Sequence, residues 1–206
     1  MLSKLKYDFE LSGDSCDKIM VAIHGWQVNR HSMKRLLNSL SLNNFGWYFL
    51  EAPYSIDSDL KKFSWSYEIS KNIWEEEEPR LLLNNFFNSL FKDNDSKNIF
   101  VMGFSQGGLI CLDFIPFLHQ PLGGIFSIAG FSRNYKKDIP RFHECQKNTP
   151  ILLSHGKEDE KVPVTASIQI YEQLAMQGAN AELLLYNGKH KIGIECLRKI
   201  KKIVQK

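Results

Sequence analysis

At 206 residues the chain fits one domain spanning 1–206, large enough to bury roughly 70% of its unfolded surface without disulfide or metal staples. A formal net charge of +3 is spread along the chain, and its mild concentration at Arg198-Lys199-Ile200-Lys201-Lys202 reads as the solvated face of a terminal helix, not as a nucleic-acid or membrane patch. Four widely spaced cysteines, Cys16, Cys111, Cys145 and Cys196, form no CxxC pair and no ligand cluster with histidine, which predicts reduced thiols.

The chain opens Met1-Leu2-Ser3-Lys4-Leu5-Lys6 and then meets Asp8 and Glu10, with no apolar run and no cleavage site of the secretory type. A cytoplasmic location is therefore expected. A weak leading strand is predicted over 7–11, followed by short apolar runs at 19–23, 47–50, 99–104, 124–129, 151–154 and 183–186. Most of these runs are apolar on both faces, as parallel strands covered by helices should be. Helices are predicted between them at 31–42, 79–91, 105–115, 164–178 and 192–204. In the fourth, Ile168, Tyr171, Leu174 and Ala175 share one face, and Gly178 ends it. The acidic run Glu75 to Glu78 before Pro79 suits a first helical turn. The stretch 114–132 lacks charge, but Pro116, Pro121, Gly123, Gly124 and Gly130 break it, so no integral membrane segment is predicted. The alternation of runs and amphipathic segments predicts an α/β fold: a mostly parallel central sheet of about seven strands with helices on both faces.

Directly behind the run at 99–102 stands Gly103-Phe104-Ser105-Gln106-Gly107-Gly108. A GxSxG pattern arises by chance in roughly one chain of this length in fifteen, so its weight comes from context. Here a strand precedes it and a largely apolar helical segment follows, the setting of a nucleophile elbow. Serine needs such a turn because its hydroxyl attacks only when held clear of the backbone, beside a base and near oxyanion donors. The flanking glycines leave room where the turn crowds neighbouring chain.

An orienting acid and then a general base are sought on loops after later strands. After 151–154 comes His155-Gly156-Lys157-Glu158-Asp159-Glu160-Lys161-Val162-Pro163, and after 183–186 comes Asn187-Gly188-Lys189-His190. His190 stands where a base is required, because imidazole titrates near neutrality. Asp159 stands where a carboxylate would orient it, although Glu158 and Glu160 flank that position and the residues alone leave the choice among the three open. His155 precedes the acid and reads as an interior hydrogen-bonding residue, while His31, His119 and His143 read as surface or core residues. Ile23-His24-Gly25-Trp26 follows the first strong strand, where a backbone oxyanion donor is expected, so the N–H groups of Trp26 and Gln106 are the predicted pair.

With these residues in place the chain resembles the α/β-hydrolase superfamily, and within it the phospholipase/carboxylesterase group that includes acyl-protein thioesterases and small carboxylesterases. The likeness rests on His24-Gly25, on Gly103 to Gly108, on His155-Gly156-x-x-Asp159-x-x-Val162-Pro163, and on Gly188-x-His190. It implies Asp159 as the acid over its glutamate neighbours. Two departures stand out: Trp26-Gln27-Val28-Asn29 makes a bulkier oxyanion loop than the group usually carries, and Phe63, Trp65, Tyr67 and Trp74 match no pattern of the group residue by residue.

The resemblance implies a serine esterase that cleaves carboxylic esters of small or medium acyl chains through Ser105, His190 and Asp159. It implies no metal and no organic cofactor. Alternatives are an acyl-protein thioesterase or lysophospholipase acting on long acyl chains, and a non-catalytic hydrolase-like binding module. The partner expected is a small-molecule or lipid acyl ester and not nucleic acid, and a homodimer is compatible with the sequence.

Overall fold

A computed structural model describes residues 4–59, 61–133 and 140–206. The expectation drawn from the N-terminus rests partly on Met1, Leu2 and Ser3, which lie outside the described residues. In chain order the elements are β1 (Tyr7–Ser12), β2 (Lys18–Ile23), α1 (Arg35–Leu40), β3 (Phe45–Leu50), β4 (Tyr54–Ser55), β5 (Phe63–Ser64), β6 (Tyr67–Ser70) and β7 (Ile73–Glu75). There follow α2 (Glu77–Asp93), β8 (Ile99–Phe104), α3 (Gln106–Asp113), β9 (Gly124–Ile128), β10 (Ile151–Gly156), α4 (Val164–Met176), β11 (Ala181–Tyr186) and α5 (Ile194–Val204).

Seven strands form the central sheet in the order β1-β3-β2-β8-β9-β10-β11. β1 runs antiparallel to β3, and every other pairing in the sheet is parallel. The inner strands β2, β8, β9 and β10 are buried almost throughout, which is why they read as continuous apolar runs. β1 lies at the edge and alternates exposed and half-buried residues, so its sequence signal is weaker. Two apolar layers sandwich the sheet. On one face α2, α3 and α4 contribute Leu83, Phe87, Leu109, Cys111, Ile170 and Leu174. On the other, α1 and α5 contribute Leu36, Leu40, Leu197, Ile200 and Val204. Helices therefore cover both faces, as the alternating pattern predicts. α5 turns its lysines outward and buries Cys196, so the basic tail is the solvated face of a helix. All four cysteines are free.

Element boundaries differ from the predicted ones for local reasons. The segment expected as a helix over 31–42 is a 3-10 turn (Arg30–Met33) and then α1, which stops where Ser41 takes a left-handed conformation. The helix expected over 105–115 ends at Asp113, and Phe114 begins a separate 3-10 turn with Pro116 in its first residues. α2 begins at Glu77, so Glu77 and Glu78 lie in its first turn and Pro79 still falls where an N–H is dispensable. The largest omission is the excursion between β3 and α2, which contains the two-stranded pairs β4-β5 and β6-β7. These strands are two to four residues long, too short for an alternating pattern to register. No helix among the described residues is long and apolar enough to cross a membrane.

Candidate active site

Ser105 occupies the turn between β8 and α3 with φ 56° and ψ −113°, a region that non-glycine residues avoid at a cost of order 1–3 kcal/mol. The surroundings hold it there. Its N–H donates to Ile128 O at 2.9 Å, and its carbonyl accepts from Leu109 N–H at 3.0 Å. The glycines are required by the closeness of neighbouring backbone: a Cβ on Gly103 would lie 2.1 Å from Gly107 O, and one on Gly107 would lie 2.1 Å from Ile23 O. The strand-turn-helix therefore presses directly on the end of β2.

His190 and Asp159 reach Ser105 from the loops after β11 and β10. His190 Nε2 is 3.0 Å from Ser105 Oγ, and His190 Nδ1 is 2.7 Å from Asp159 Oδ2. Because the carboxylate only accepts, Nδ1 carries the proton and Nε2 is left to accept from the serine hydroxyl. Phe104 packs against the imidazole with ring centroids 4.9 Å apart. The flanking acids lie on the surface: Glu158 is exposed, and Glu160 pairs with Lys189 at 3.1 Å.

The Asp159 side chain is fully buried and engaged. Its Oδ1 accepts from the N–H groups of Lys161 and Val162, each at 2.9 Å, and its Oδ2 is also 3.2 Å from His155 Nε2. Burial alone would raise its pKa, but the hydrogen bonds from Val162, His190 and Lys161 outweigh it and hold the carboxyl below its usual range. His155 is the interior residue the sequence predicts, with Nδ1 2.7 Å from Ser167 Oγ and Nε2 3.0 Å from Val162 O. Burial pushes its pKa down, so it stays neutral and donates from Nε2. Its contact with the Asp159 carboxylate carries no signature in the sequence.

The loop after β2 lies against the elbow, since a Cβ on Gly25 would sit 3.3 Å from Ser105 Cβ. Trp26 follows and is 57% exposed, so the bulk expected of this loop is turned largely toward solvent. Gln106 opens α3, where the first N–H groups have no partner within the helix and the dipole favours negative charge. His24 is buried: Nδ1–H donates to Gly25 O at 2.6 Å, and Nε2 accepts from Ala52 N–H at 3.1 Å. Burial lowers its pKa to about 4, so it is a neutral structural imidazole.

Three further features escaped the sequence. The Gln106 side chain is buried and bonded to Ser64, Trp65 and Ser66. Trp65 is bonded in turn to His24 O. Arg133 donates to Ser66 Oγ at 2.6 Å, pairs with Glu76, and lies 4.3 Å from the Trp74 ring centroid. The aromatic richness of 63–74 was visible, but not which polar atoms these rings bring to the site. Among the described residues no group of three or more His, Cys, Asp or Glu side chains is arranged to hold a metal ion.

Known proteins resemble the chain in sequence and in fold. Over 85 residues the chain is 34% identical to acyl-protein thioesterase 1 of Kluyveromyces lactis, covering 40% of this chain and 37% of that protein. Over 92 residues it is 34% identical to carboxylesterase SOBER1 of Arabidopsis thaliana, covering 45% and 40%. The chain thus spans less than half the length of these relatives. The crystal structure of esterase PE8 superposes with a TM-score of 0.82 at 19% identity, covering 98% of this chain and 99% of that one, which shows the shared α/β-hydrolase fold. The family model for Phospholipase/Carboxylesterase matches residues 10–206, and the chain belongs to that family.

Proposed function

We propose that the protein is a serine hydrolase of carboxylic esters with Ser105 as nucleophile, His190 as general base and acid, and Asp159 as the orienting carboxylate. The observation that carries this reading is the continuous line of contacts from Ser105 Oγ through His190 to Asp159, at 3.0 and 2.7 Å. Ser105 Oγ attacks the ester carbonyl carbon while His190 Nε2 takes the hydroxyl proton. The carbonyl electron pair moves onto oxygen, which accepts from the N–H groups of Trp26 and Gln106. Asp159 stabilises the imidazolium, which then protonates the departing alcohol or thiol. A water molecule, deprotonated by His190, releases the acyl group and restores the serine. Ser105→Ala is expected to lower kcat for short p-nitrophenyl esters by about 10⁶-fold. Retention of most activity by that variant would reject the assignment. Absence of labelling by a fluorophosphonate in folded wild type would favour a binding module without chemistry.

Small or medium acyl chains are the substrates proposed, and long chains are the second reading. The latter is favoured by the exposed Tyr67, Ile69, Ile73 and Trp74 on the β6-β7 pair, which continues the segment bonded to Gln106. An acyl-length series decides it. A steady rise of kcat/KM toward long chains supports the second reading, and a fall beyond four to six carbons rejects it.

A further inference from the structure

Trp65 is only 1% exposed although most of the excursion that carries it is open to solvent. Its backbone N–H donates to Gln106 Oε1 at 3.0 Å, and its indole Nε1–H donates to His24 O at 3.0 Å. One residue thus grips the chain at Gln106 and the chain two positions before Trp26. Around it, Gln106 Nε2 donates to Ser64 Oγ at 2.9 Å and to Ser66 Oγ at 3.2 Å. On the far side of Trp26, Gln27 N–H donates to Phe63 O at 3.1 Å, and Phe63 N–H donates to Val28 O at 3.0 Å. Both flanks of Trp26 and the side chain of Gln106 are therefore tied to the same four residues, 63–66.

We infer that Trp65 is a positioning residue for oxyanion stabilisation, and that 63–66 is a brace holding the Trp26 and Gln106 N–H groups in register. The inference rests on the reading of Ser105 as nucleophile. Stabilising a developing oxyanion depends on donors fixed in advance, because donors that must reorient at the moment of reaction lose much of their effect. The two N–H groups stand on loops that leave the adjacent strands β2 and β8, and beyond the sheet the strand pairing no longer fixes one loop against the other. The brace supplies that link, with buried hydrogen bonds that are strong in a low dielectric and costly to leave unmade. Trp65 suits this role because its rigid ring spans the gap and its single side-chain donor has one acceptor to find. The surrounding contacts also explain the otherwise unexpected burial of a glutamine side chain at the first position of α3.

A residue needed only for folding would lower stability and leave turnover by the folded molecules unchanged. Trp65→Phe keeps an aromatic ring and removes the indole N–H. In folded protein, followed by circular dichroism, kcat for p-nitrophenyl acetate is expected to fall by about 10- to 100-fold with KM within about twofold. A trifluoromethyl ketone adds the Ser105 oxygen to its carbonyl carbon, the serine proton passing to His190 and the carbonyl pair becoming the oxyanion. Its affinity should weaken in step with kcat. The matching methyl ketone, bound without addition, should be unaffected. Gln106→Met removes the other arm of the brace and should show the same pattern, so it decides the matter if Trp65→Phe does not fold. Wild-type kcat in either folded variant, beside an inactive Ser105→Ala, overturns the brace and leaves the nucleophile in place. Activity in Ser105→Ala overturns the nucleophile assignment itself. Failure of both brace variants to fold makes 63–66 a folding element and overturns its positioning role.

Discussion

The two sides of the site around Ser105 are held by hydrogen bonds of different origin. On the acid-base side, Asp159 is fixed by N–H groups two and three residues further along its own loop, and His190 stands on a short loop after β11. The Asp159 loop thus holds itself by contacts local in sequence, and His190 then meets Asp159 across 31 residues of chain and Ser105 across 85, each loop leaving the carboxyl end of a parallel strand. On the oxyanion side, the loop after β2 and the start of α3 are joined by side chains from an excursion 41 residues distant from each. The comparison teaches that the proposed acid and base meet directly from loops at two strand ends, whereas the loops of the proposed donors are also joined through a third segment, 63–66.

Variants can break or sharpen this contrast. After Ser105→Ala, the largest effect is expected from Asp159→Asn, which disfavours the tautomer with the proton on His190 Nδ1 and should lower kcat by about 10⁴-fold with the fold intact, measured by steady-state kinetics beside circular dichroism. Gly107→Ala tests where the two sides meet, because its new Cβ would lie 2.1 Å from Ile23 O and 2.7 Å from Ile23 C, backbone atoms that cannot swing aside. Destabilisation of about 3 kcal/mol or more is expected by denaturant unfolding, and a cost under 1 kcal/mol would show that the elbow relaxes more readily than its packing implies.

The pH dependence of stability probes the oxyanion side through His24. Burial lowers its folded pKa to about 4 from an ordinary 6.5. As pH falls through 6.5 the unfolded chain takes up a proton that the native state refuses until about 4. Stability present at neutral pH is therefore lost across that window, by about 3 kcal/mol from this group. His155, also depressed by burial, adds loss in the same direction. His24→Asn should flatten the slope between pH 6.5 and 4 by about one proton in unfolding free energies measured across the window; an unchanged slope would mean that His24 is not the group refusing the proton. The smallest effect belongs to the flanking acid. Glu160→Gln removes an exposed pair with Lys189 and should alter stability by less than about 0.5 kcal/mol and leave kcat unchanged. A large loss of activity there would reassign the orienting acid.

Most of the central sheet was legible because each inner strand announces itself by burial on both faces, an effect of composition over five or six residues. The elbow was legible for a similar reason: the clash that demands glycine at 103 arises with Gly107, four residues away. The hairpin-like pairs at 54–75 were not legible, since strands of two to four residues show no period and their exposed apolar side chains imitate core. Choosing Asp159 over Glu158 and Glu160 needed the family likeness, as three adjacent carboxylates differ only in the direction a loop turns them.

The amino-acid sequence by itself determined the α/β alternation, the strand ends on which Ser105, Asp159 and His190 stand, and the need for glycine at 103, because these depend on interactions within a few residues of chain. Only the tertiary structure decided that Trp65 bonds His24, that the Gln106 side chain turns inward to Ser64 and Ser66, and that His155 shares the Asp159 carboxylate. Those contacts depend on how separate loops meet over the end of the sheet. A donor or acceptor in the sequence carries no mark of the partner that folding brings to it.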